Sequence, residues 1–145
     1  MTLDEVLDEM KKDFKVDPTN LEGESLRTTD LLFGKYMSLY AKSKLTAEFL
    51  QDSIKNVIVR RRRFYSGDGT PEEYLKEPFG LKIKNEVTMK EYLKNDAEIT
   101  KANQQVLFEN QKTEIYFGCL EHIKYTRNSS IKNAIDMRKF NSGLY

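Results

Sequence analysis

Residues 21–64 of the chain read LEGESLRTTDLLFGKYMSLYAKSKLTAEFLQDSIKNVIVRRRRF, and this stretch has the pattern of a long helix. It contains no proline, and only Gly23 and Gly34 interrupt it. Its apolar residues are separated by threes, fours and their multiples, as on one face of a helix. They are Leu32, Tyr36, Leu39, Leu50, Ile54 and Val57. The spacing predicts one long helix, or two nearly collinear ones, that needs a partner along its length.

A second long helix is predicted from a start between Thr88 and Asp96 to about Arg127. Its apolar residues fall on two different faces, which is typical of a helix inside a bundle or an oligomer. We expect the two long helices to form an antiparallel hairpin.

Short elements are expected before and between these helices. Thr2 and Glu5 have the spacing of a capping box and predict a short N-terminal helix. Residues 66–69, Ser-Gly-Asp-Gly, indicate a turn. Thr70 and Pro71 then predict the cap and first residue of a further short helix.

Residues 81–85 alternate apolar residues with lysine, which favours a short extended piece. Residues 128–130, Asn-Ser-Ser, are expected to break the second long helix before a terminal helix at 131–140. The sequence therefore predicts an all-α fold with at most one short extended connector. It also predicts a single domain over 1–145, with N-terminal helices and a basic segment (1–65), a connector (66–94) and C-terminal helices for oligomerisation (95–145).

The composition argues against several classes of protein. The formal net charge is only +1, so binding to nucleic acid would require a local basic patch. Cys119 is the only cysteine, which suits a reducing cytoplasm, and we expect no signal peptide and no membrane span. With His122 as the only histidine there is no zinc set, and no pair of acids stands out as catalytic. We therefore expect no metal, no cofactor and no enzymatic activity.

The most distinctive feature is the arginine tract, four consecutive arginines at 60–63. Residues 53–67 contain no acidic residue, and neither do residues 31–47 earlier on the same predicted helix. Guanidinium groups grip phosphate with two hydrogen bonds, and aromatic rings such as those of Phe64 and Tyr65 can stack on unpaired bases. The candidate DNA-binding residues are Lys42, Lys44, Lys55, Arg60, Arg61, Arg62, Arg63 and Tyr65.

Other interpretations of the arginine tract stay open at this point. A run of charges is usually a solvated helix face, and Phe64 and Tyr65 could close the core where the helix ends. Arg61 follows the apolar stripe and could face a partner helix, since four successive residues spread around about 300° of a helix. A single small patch binds weakly in cellular salt, so DNA binding would depend on its repetition in an oligomer. The alternative function is a non-enzymatic helical interaction or structural protein, such as a virion or scaffold component.

Several segments resemble the UvsY family of recombination mediators from T-even phages. Residues 61–67, Arg-Arg-Arg-Phe-Tyr-Ser-Gly, are similar to the family's basic motif and the Tyr-Tyr-Ser-Gly turn that follows it. Arg61 matches the motif arginine, while Val59 stands at the motif lysine, for which we expect the other arginines to compensate. Further similarity lies, in the same order as in the family, at residues 1–13, 89–90, 93, 96–101, 120–124, 136–138, 140 and 143.

The resemblance implies a function and partners. Members of this family form hexameric or heptameric rings and bind single-stranded DNA that is already coated by the phage single-strand-binding protein. They help a RecA-like recombinase, UvsX, to load onto that DNA in the cytoplasm of the infected bacterial host. The C-terminal segment serves self-association. The candidate oligomerisation residues are Leu120, Ile123, Ile131, Ile135 and Phe140.

Overall fold

The structure is a computed structural model that describes residues 1–143, apart from the side chain of Thr29, and this part of the chain contains helices and no β-strand. In chain order the helices are α1 (Leu3–Asp13), α2 (Leu21–Arg27), α3 (Phe33–Ser66), α4 (Pro71–Lys76), α5 (Glu86–Lys94), α6 (Ala97–His122) and α7 (Asn128–Asn141). A first π-helical segment, Thr28–Leu32, joins α2 to α3, and a second, Ile123–Arg127, joins α6 to α7. The all-α prediction is confirmed.

The predicted capping box at Thr2 and the predicted helix cap at Thr70 are both present. The Thr2 hydroxyl accepts a hydrogen bond from the Glu5 amide at 3.2 Å, and the Glu5 carboxylate accepts one from the Thr2 amide at 2.8 Å. The Thr70 hydroxyl accepts from the Glu73 amide at the start of α4, where Pro71 is the first residue. These local signals were readable in sequence because each cap needs only residues three positions apart.

The chain forms two compact units. The first combines Met1–Lys44 with the segment from Asn110 onward, and the second is Leu45–Glu109. Both long helices, α3 and α6, contribute to each unit. The predicted single domain and its division at 65 and 95 stay predictions.

The core of the first unit packs α1 against the start of α3 and the end of α6. It consists of Val6, Leu32, Tyr36, Tyr116, Cys119, Leu120 and Ile123. Asp13, at the end of α1, accepts hydrogen bonds from the Lys35 ammonium (2.5 Å) and the Tyr36 hydroxyl (2.8 Å). The Ser43 and Thr113 hydroxyls are 2.8 Å apart, consistent with the antiparallel course of α3 and α6 in this unit.

A buried arginine joins the two π-helical segments of the first unit. The Arg127 guanidinium donates to the Thr28 hydroxyl (2.7 Å), the Phe14 carbonyl (2.7 Å) and the Glu24 carboxylate (2.9 Å). Arg27 also contacts Glu24, at 2.8 Å. Every partner is supplied from the first 28 residues, so Arg127 ties the C-terminal part of the chain to the N-terminal part.

The expected break at residues 128–130 is wrong. Asn128 has helical backbone angles (φ −65°, ψ −36°), and α7 continues directly from the second π-helical segment. Asn and Ser are weak helix formers, but tertiary packing overrides that preference. Burial of Arg127 on one side and Ile131 on the other holds this stretch in the helix.

Three of the five residues predicted for self-association are buried within the single chain. Leu120 and Ile123 lie in the core of the first unit, and Ile131 is equally buried where α7 packs on α2. Ile135 is half-buried, whereas the Phe140 side chain is 68% exposed. An apolar periodicity marks a buried face but does not say whether the same chain or another copy covers it.

The second unit closes around an aromatic cluster at the end of α3. Phe64, Tyr65, Ile83 and Met89 are buried, and the Tyr74 ring stacks on Phe64 at 4.9 Å. Gly67 ends α3 with a φ of +89°, a conformation that suits glycine. The predicted extended piece at 81–85 forms no strand; its Ile83 amide donates to the Tyr65 carbonyl at 3.0 Å.

We expect R127A to lower the free energy of unfolding by about 3 kcal/mol. The variant leaves the Thr28 hydroxyl and the Phe14 carbonyl without their donor, while Arg27 still contacts Glu24. The measurement is urea unfolding followed by circular dichroism. R138A is the matched control, because Arg138 pairs with Glu22 on the surface and its loss should cost less than about 1 kcal/mol. Equal losses for the two variants would contradict this account of Arg127.

Candidate nucleic-acid interface

The four arginines of the tract point in different directions because successive helical residues are about 100° apart. Arg61 faces the core of the second unit, and its side chain is only 8% exposed. Arg63 lies about 200° further round the helix and is exposed. Arg60 and Arg62 flank it on either side. The exposed face of the tract therefore consists of Arg60, Arg62 and Arg63.

Arg61 is held in the core of the second unit by two carboxylates and two rings. Its Nε donates to Asp96 Oδ2 at 2.7 Å, and its Nη2 donates to Glu77 Oε2 at 2.9 Å. The guanidinium carbon lies 4.3 Å from the centre of the Phe64 ring and 5.1 Å from that of Tyr65. Burial alone would lower the pKa of Arg61, but the hydrogen bonds with Tyr65, Asp96 and Glu77 raise it, so the side chain is a permanent cation.

Asp96 connects this cluster to the first turn of α6. Its Oδ1 accepts a hydrogen bond from the Ile99 amide at 2.9 Å, and its Oδ2 accepts from Arg61 and from the Tyr65 hydroxyl. Burial alone would raise the pKa of Asp96, but the hydrogen bonds from Tyr65, the Ile99 amide and Arg61 together hold it below its usual range. The buried carboxylate is therefore ionised and matched to the buried guanidinium.

The prediction that Arg61 and Tyr65 contact DNA does not fit their positions. Arg61 is paired inside the protein, and Tyr65 packs between Phe64, Phe79 and Tyr92 with its hydroxyl on Asp96. Phe64 is fully buried. The aromatic pair closes the core where α3 ends, which leaves neither ring open to an incoming base.

Of the two flanking arginines, Arg60 is exposed and Arg62 is half-buried, and each forms an ion pair with a carboxylate. The Arg60 side chain is 48% exposed and contacts Glu98; the Arg62 side chain is 43% exposed and its Nη1 donates to both oxygens of Glu86, at 3.0 and 2.9 Å. Arg63 has no ion-pair partner among residues 1–143. Arg63 is thus the arginine of the tract that a phosphate can reach without displacing a carboxylate.

A cavity of about 340 Å³ lies beside this face. Arg60 and Arg63 line it together with Val59 of α3 and with Gly69 and Thr70 from the turn before α4. Its volume is at the lower end of the range for ligand pockets. The carboxylates of Asp68 and Glu73 also line the cavity, so its lining carries both signs of charge.

The three predicted lysines are all exposed, and they belong to different units. Lys55 is 80% exposed, and its Nζ is 3.7 Å from the Asp52 carboxylate. Lys42 and Lys44 lie in the first unit, and the Lys44 ammonium sits 5.8 Å from the centre of the Tyr40 ring. Lys55 shares the second unit with the arginine tract.

Sequence reasoning missed the carboxylates that face the tract. Glu77, Glu86, Asp96 and Glu98 come from 16 to 38 residues away and approach Arg60, Arg61 and Arg62 only in the folded chain. One signal was available: Asp96 lies three residues before Ile99, at the start of a periodic apolar pattern, as helix caps do. Nothing in the spacing of the glutamates indicates their partners.

The described residues offer little that resembles a catalytic centre. Within residues 1–143 no three His, Cys, Asp or Glu side chains cluster in a way that could hold a metal ion. His122 packs edge-on against Phe14, and burial raises the pKa of the Cys119 thiol to about 11. The same part of the chain contains no helix both long and apolar enough to cross a membrane.

The fold and the arginine tract define a class: an all-helical protein with basic side chains exposed at the end of a long helix. The family model described as "Recombination, repair and ssDNA binding protein UvsY" matches residues 9–144. The chain therefore belongs to the UvsY family of recombination, repair and single-stranded-DNA-binding proteins.

Individual relatives agree with the family match. The recombination protein uvsY of Enterobacteria phage T4 is 27% identical over 143 residues, which cover 99% of both chains. A crystal structure of the bacteriophage T4 recombination mediator protein UvsY matches with a TM-score of 0.77, covering 97% of this chain and 99% of that one at 24% identity. A second crystal form matches with the same TM-score at 25% identity, covering 94% of this chain and 98% of the other.

We expect D96N to reduce the loss of unfolding free energy that accompanies acidification. The folded-state pKa of Asp96 is lower than its unfolded value, near 3.9, so its contribution is complete above about pH 4 and disappears as the pH falls through the folded-state pKa. D96N should be less stable than the original at pH 7 and lose less stability on acidification. Urea unfolding at several pH values measures this, with the exposed D52N as control. If D96N and the original chain lose the same free energy between pH 5 and pH 2, Asp96 is not the group involved.

Proposed function

We propose that this chain is a recombination mediator: it binds single-stranded DNA and promotes loading of a RecA-like recombinase onto DNA coated with single-strand-binding protein. The observation that carries the proposal is the exposed face of Arg60, Arg62 and Arg63 in a member of a single-stranded-DNA-binding family. Arginine suits this role because its planar fork binds phosphate with two hydrogen bonds.

In this proposal the strand crosses the end of α3 along the exposed face. Arg63 contacts a phosphate first, and Arg60 and Arg62 contact the phosphates on either side. Lys55 adds positive charge one to two turns earlier on the same helix. Arg61 and Tyr65 support the site from beneath, because they fix the end of α3 to the start of α6.

A single face of three arginines binds weakly, so the proposal includes self-association. Each neutralised phosphate contributes a slope of about −0.7 to the salt dependence of single-strand binding, which makes about −2 for one subunit. A hexameric or heptameric ring would present the face six or seven times to one strand, which raises the overall affinity without any new contact. Exposed Met137 and Phe140 near the end of α7 are the proposed contacts between copies.

The remaining partners follow from the proposed role. A mediator has to contact the recombinase and the single-strand-binding protein, and both would be met in the cytoplasm of the infected bacterial host. The exposed surface outside the arginine face is where such contacts would form.

We expect R60A/R62A/R63A to weaken binding to labelled oligo(dT) and to flatten the log–log salt dependence by about 2 for each subunit on the strand. Fluorescence anisotropy at four or more salt concentrations gives both quantities. K11A/K12A/R138A is the matched control, because it removes the same charge from exposed positions in the first unit. Recombinase filament growth on coated DNA should be lost in the first variant and retained in the control.

Two outcomes would overturn the proposed site or the proposed function. Equal effects of the two triple variants would mean that net charge matters and the arginine face does not. A chain that retains no oligonucleotide even in low salt would instead favour a helical structural component, in which the arginine tract contacts an acidic protein.

We expect M137S/F140S to reduce the subunit number, because both side chains are exposed in the single chain and apolar. Native mass spectrometry measures the subunit number directly. L75S is the control, since Leu75 is even more exposed but lies on α4 in the second unit. If M137S/F140S has the mass distribution of the original chain, the contact between copies lies elsewhere.

A further inference from the structure

The two flanking arginines of the tract each hold an anion supplied by the chain itself. Glu86 is the first residue of α5, and both of its oxygens accept hydrogen bonds from Arg62 Nη1. Glu98 lies in the first turn of α6 and contacts Arg60. The second oxygen of Glu98 also lies 3.8 Å from Arg61 Nε, but the shortest ion pair of Arg61 is with Asp96, which is buried with it.

A carboxylate with two oxygens on one guanidinium occupies the position that a phosphate would take. Glu86 contacts one nitrogen of the Arg62 guanidinium, Nη1, and a phosphate oxygen would compete for the same nitrogen. A phosphate therefore cannot use Nη1 of Arg62 while Glu86 is in place. The same competition holds between a phosphate and Glu98 at Arg60.

The exposure of these pairs allows the exchange to occur. The Arg62 and Glu86 side chains are 43% and 59% exposed, so water can solvate both groups when they separate. Exposed ion pairs shift an equilibrium by only about 1.5- to 5-fold. The buried pair of Arg61 and Asp96 cannot exchange in this way, because a lone buried charge is strongly disfavoured.

We propose that Glu86 and Glu98 occupy the phosphate positions of Arg62 and Arg60 in the free chain, and that single-stranded DNA binds by replacing these carboxylates with its own phosphates. This inference rests on the proposed function of the arginine face. Arg63, which has no ion-pair partner in residues 1–143, receives the first phosphate, and the two exchanges follow on either side. The two glutamates thus set the affinity of the site without contacting DNA.

The test measures binding of labelled oligo(dT) to E86Q, E98Q and E86Q/E98Q by fluorescence anisotropy. We expect each single variant to bind about 1.5- to 5-fold more tightly, and the double variant to combine both gains. E22Q is the matched control: Glu22 also pairs with a surface arginine, Arg138, and its loss changes the net charge equally. If E86Q and E98Q bind no more tightly than E22Q, the exchange does not occur.

A second set of variants separates exchange at one arginine from general repulsion of DNA by the glutamates. If Glu86 acts by occupying Arg62, then E86Q should have no effect in an R62A background. The same holds for E98Q in an R60A background. A gain in affinity that persists without the arginine would overturn the proposal, since it would show repulsion acting through space. Thermal unfolding of each variant verifies that the helices are intact.

The outcomes distinguish failure of this inference from failure of the proposed function. If the original chain and the glutamine variants all ignore oligonucleotides in low salt, the arginine face is not a DNA site. If the original chain binds, loses binding in R60A/R62A/R63A and is unaffected by E86Q or E98Q, the site is correct and the exchange is wrong.

Discussion

The ion pair between Arg61 and Asp96 fixes the end of α3 against the start of α6, and the directions of the other arginines follow from it. A buried ion pair is stable only when further hydrogen bonds satisfy both groups. Here the Tyr65 hydroxyl and the Ile99 amide donate further hydrogen bonds to Asp96. Glu77 accepts a further hydrogen bond from Arg61. With Arg61 turned inward, the helix leaves Arg63 on the opposite side and Arg60 and Arg62 between them.

This arrangement explains why the sequence predicted the helices better than the site. Helix starts depend on residues three or four positions apart, so Thr2, Thr70 and Pro71 were informative by themselves. The burial of Arg61 depends on Asp96, 35 residues away, and no local pattern encodes that contact. A run of four arginines predicts a positively charged surface, but it does not predict how many of the four side chains are exposed to solvent.

The terminal helix α7 shows that an apolar pattern also predicts a buried face without indicating what covers it. The spacing of Ile131 and Ile135 predicted a helix with one apolar face, and α7 has such a face. Ile131 is covered by α2 of the same chain rather than left for another copy. The break expected before this helix is absent for a related reason. Arg127 donates hydrogen bonds to Thr28 and Glu24, about a hundred residues earlier, and no local pattern indicates these contacts.

The position that resembles the family's motif arginine is Arg61, which this structure places in the core rather than on the surface. In this chain the support of the helix end and the proposed binding of phosphate therefore involve different residues of one tract. Arg61 fixes the geometry, and Arg60, Arg62 and Arg63 provide the exposed charge.

That division has a consequence for the strength of binding. The carboxylates of Glu77, Glu86, Asp96 and Glu98 offset most of the tract's charge, so a single copy presents little positive potential to a distant strand. Under the proposed function, affinity would then depend on short-range contacts and on the number of copies that bind the strand together. The overall affinity of such binding would rise steeply with the number of subunits on the strand and fall steeply when one subunit dissociates from it. In the proposed mediator, that property would allow DNA to be held by the assembly and still be passed on to the recombinase.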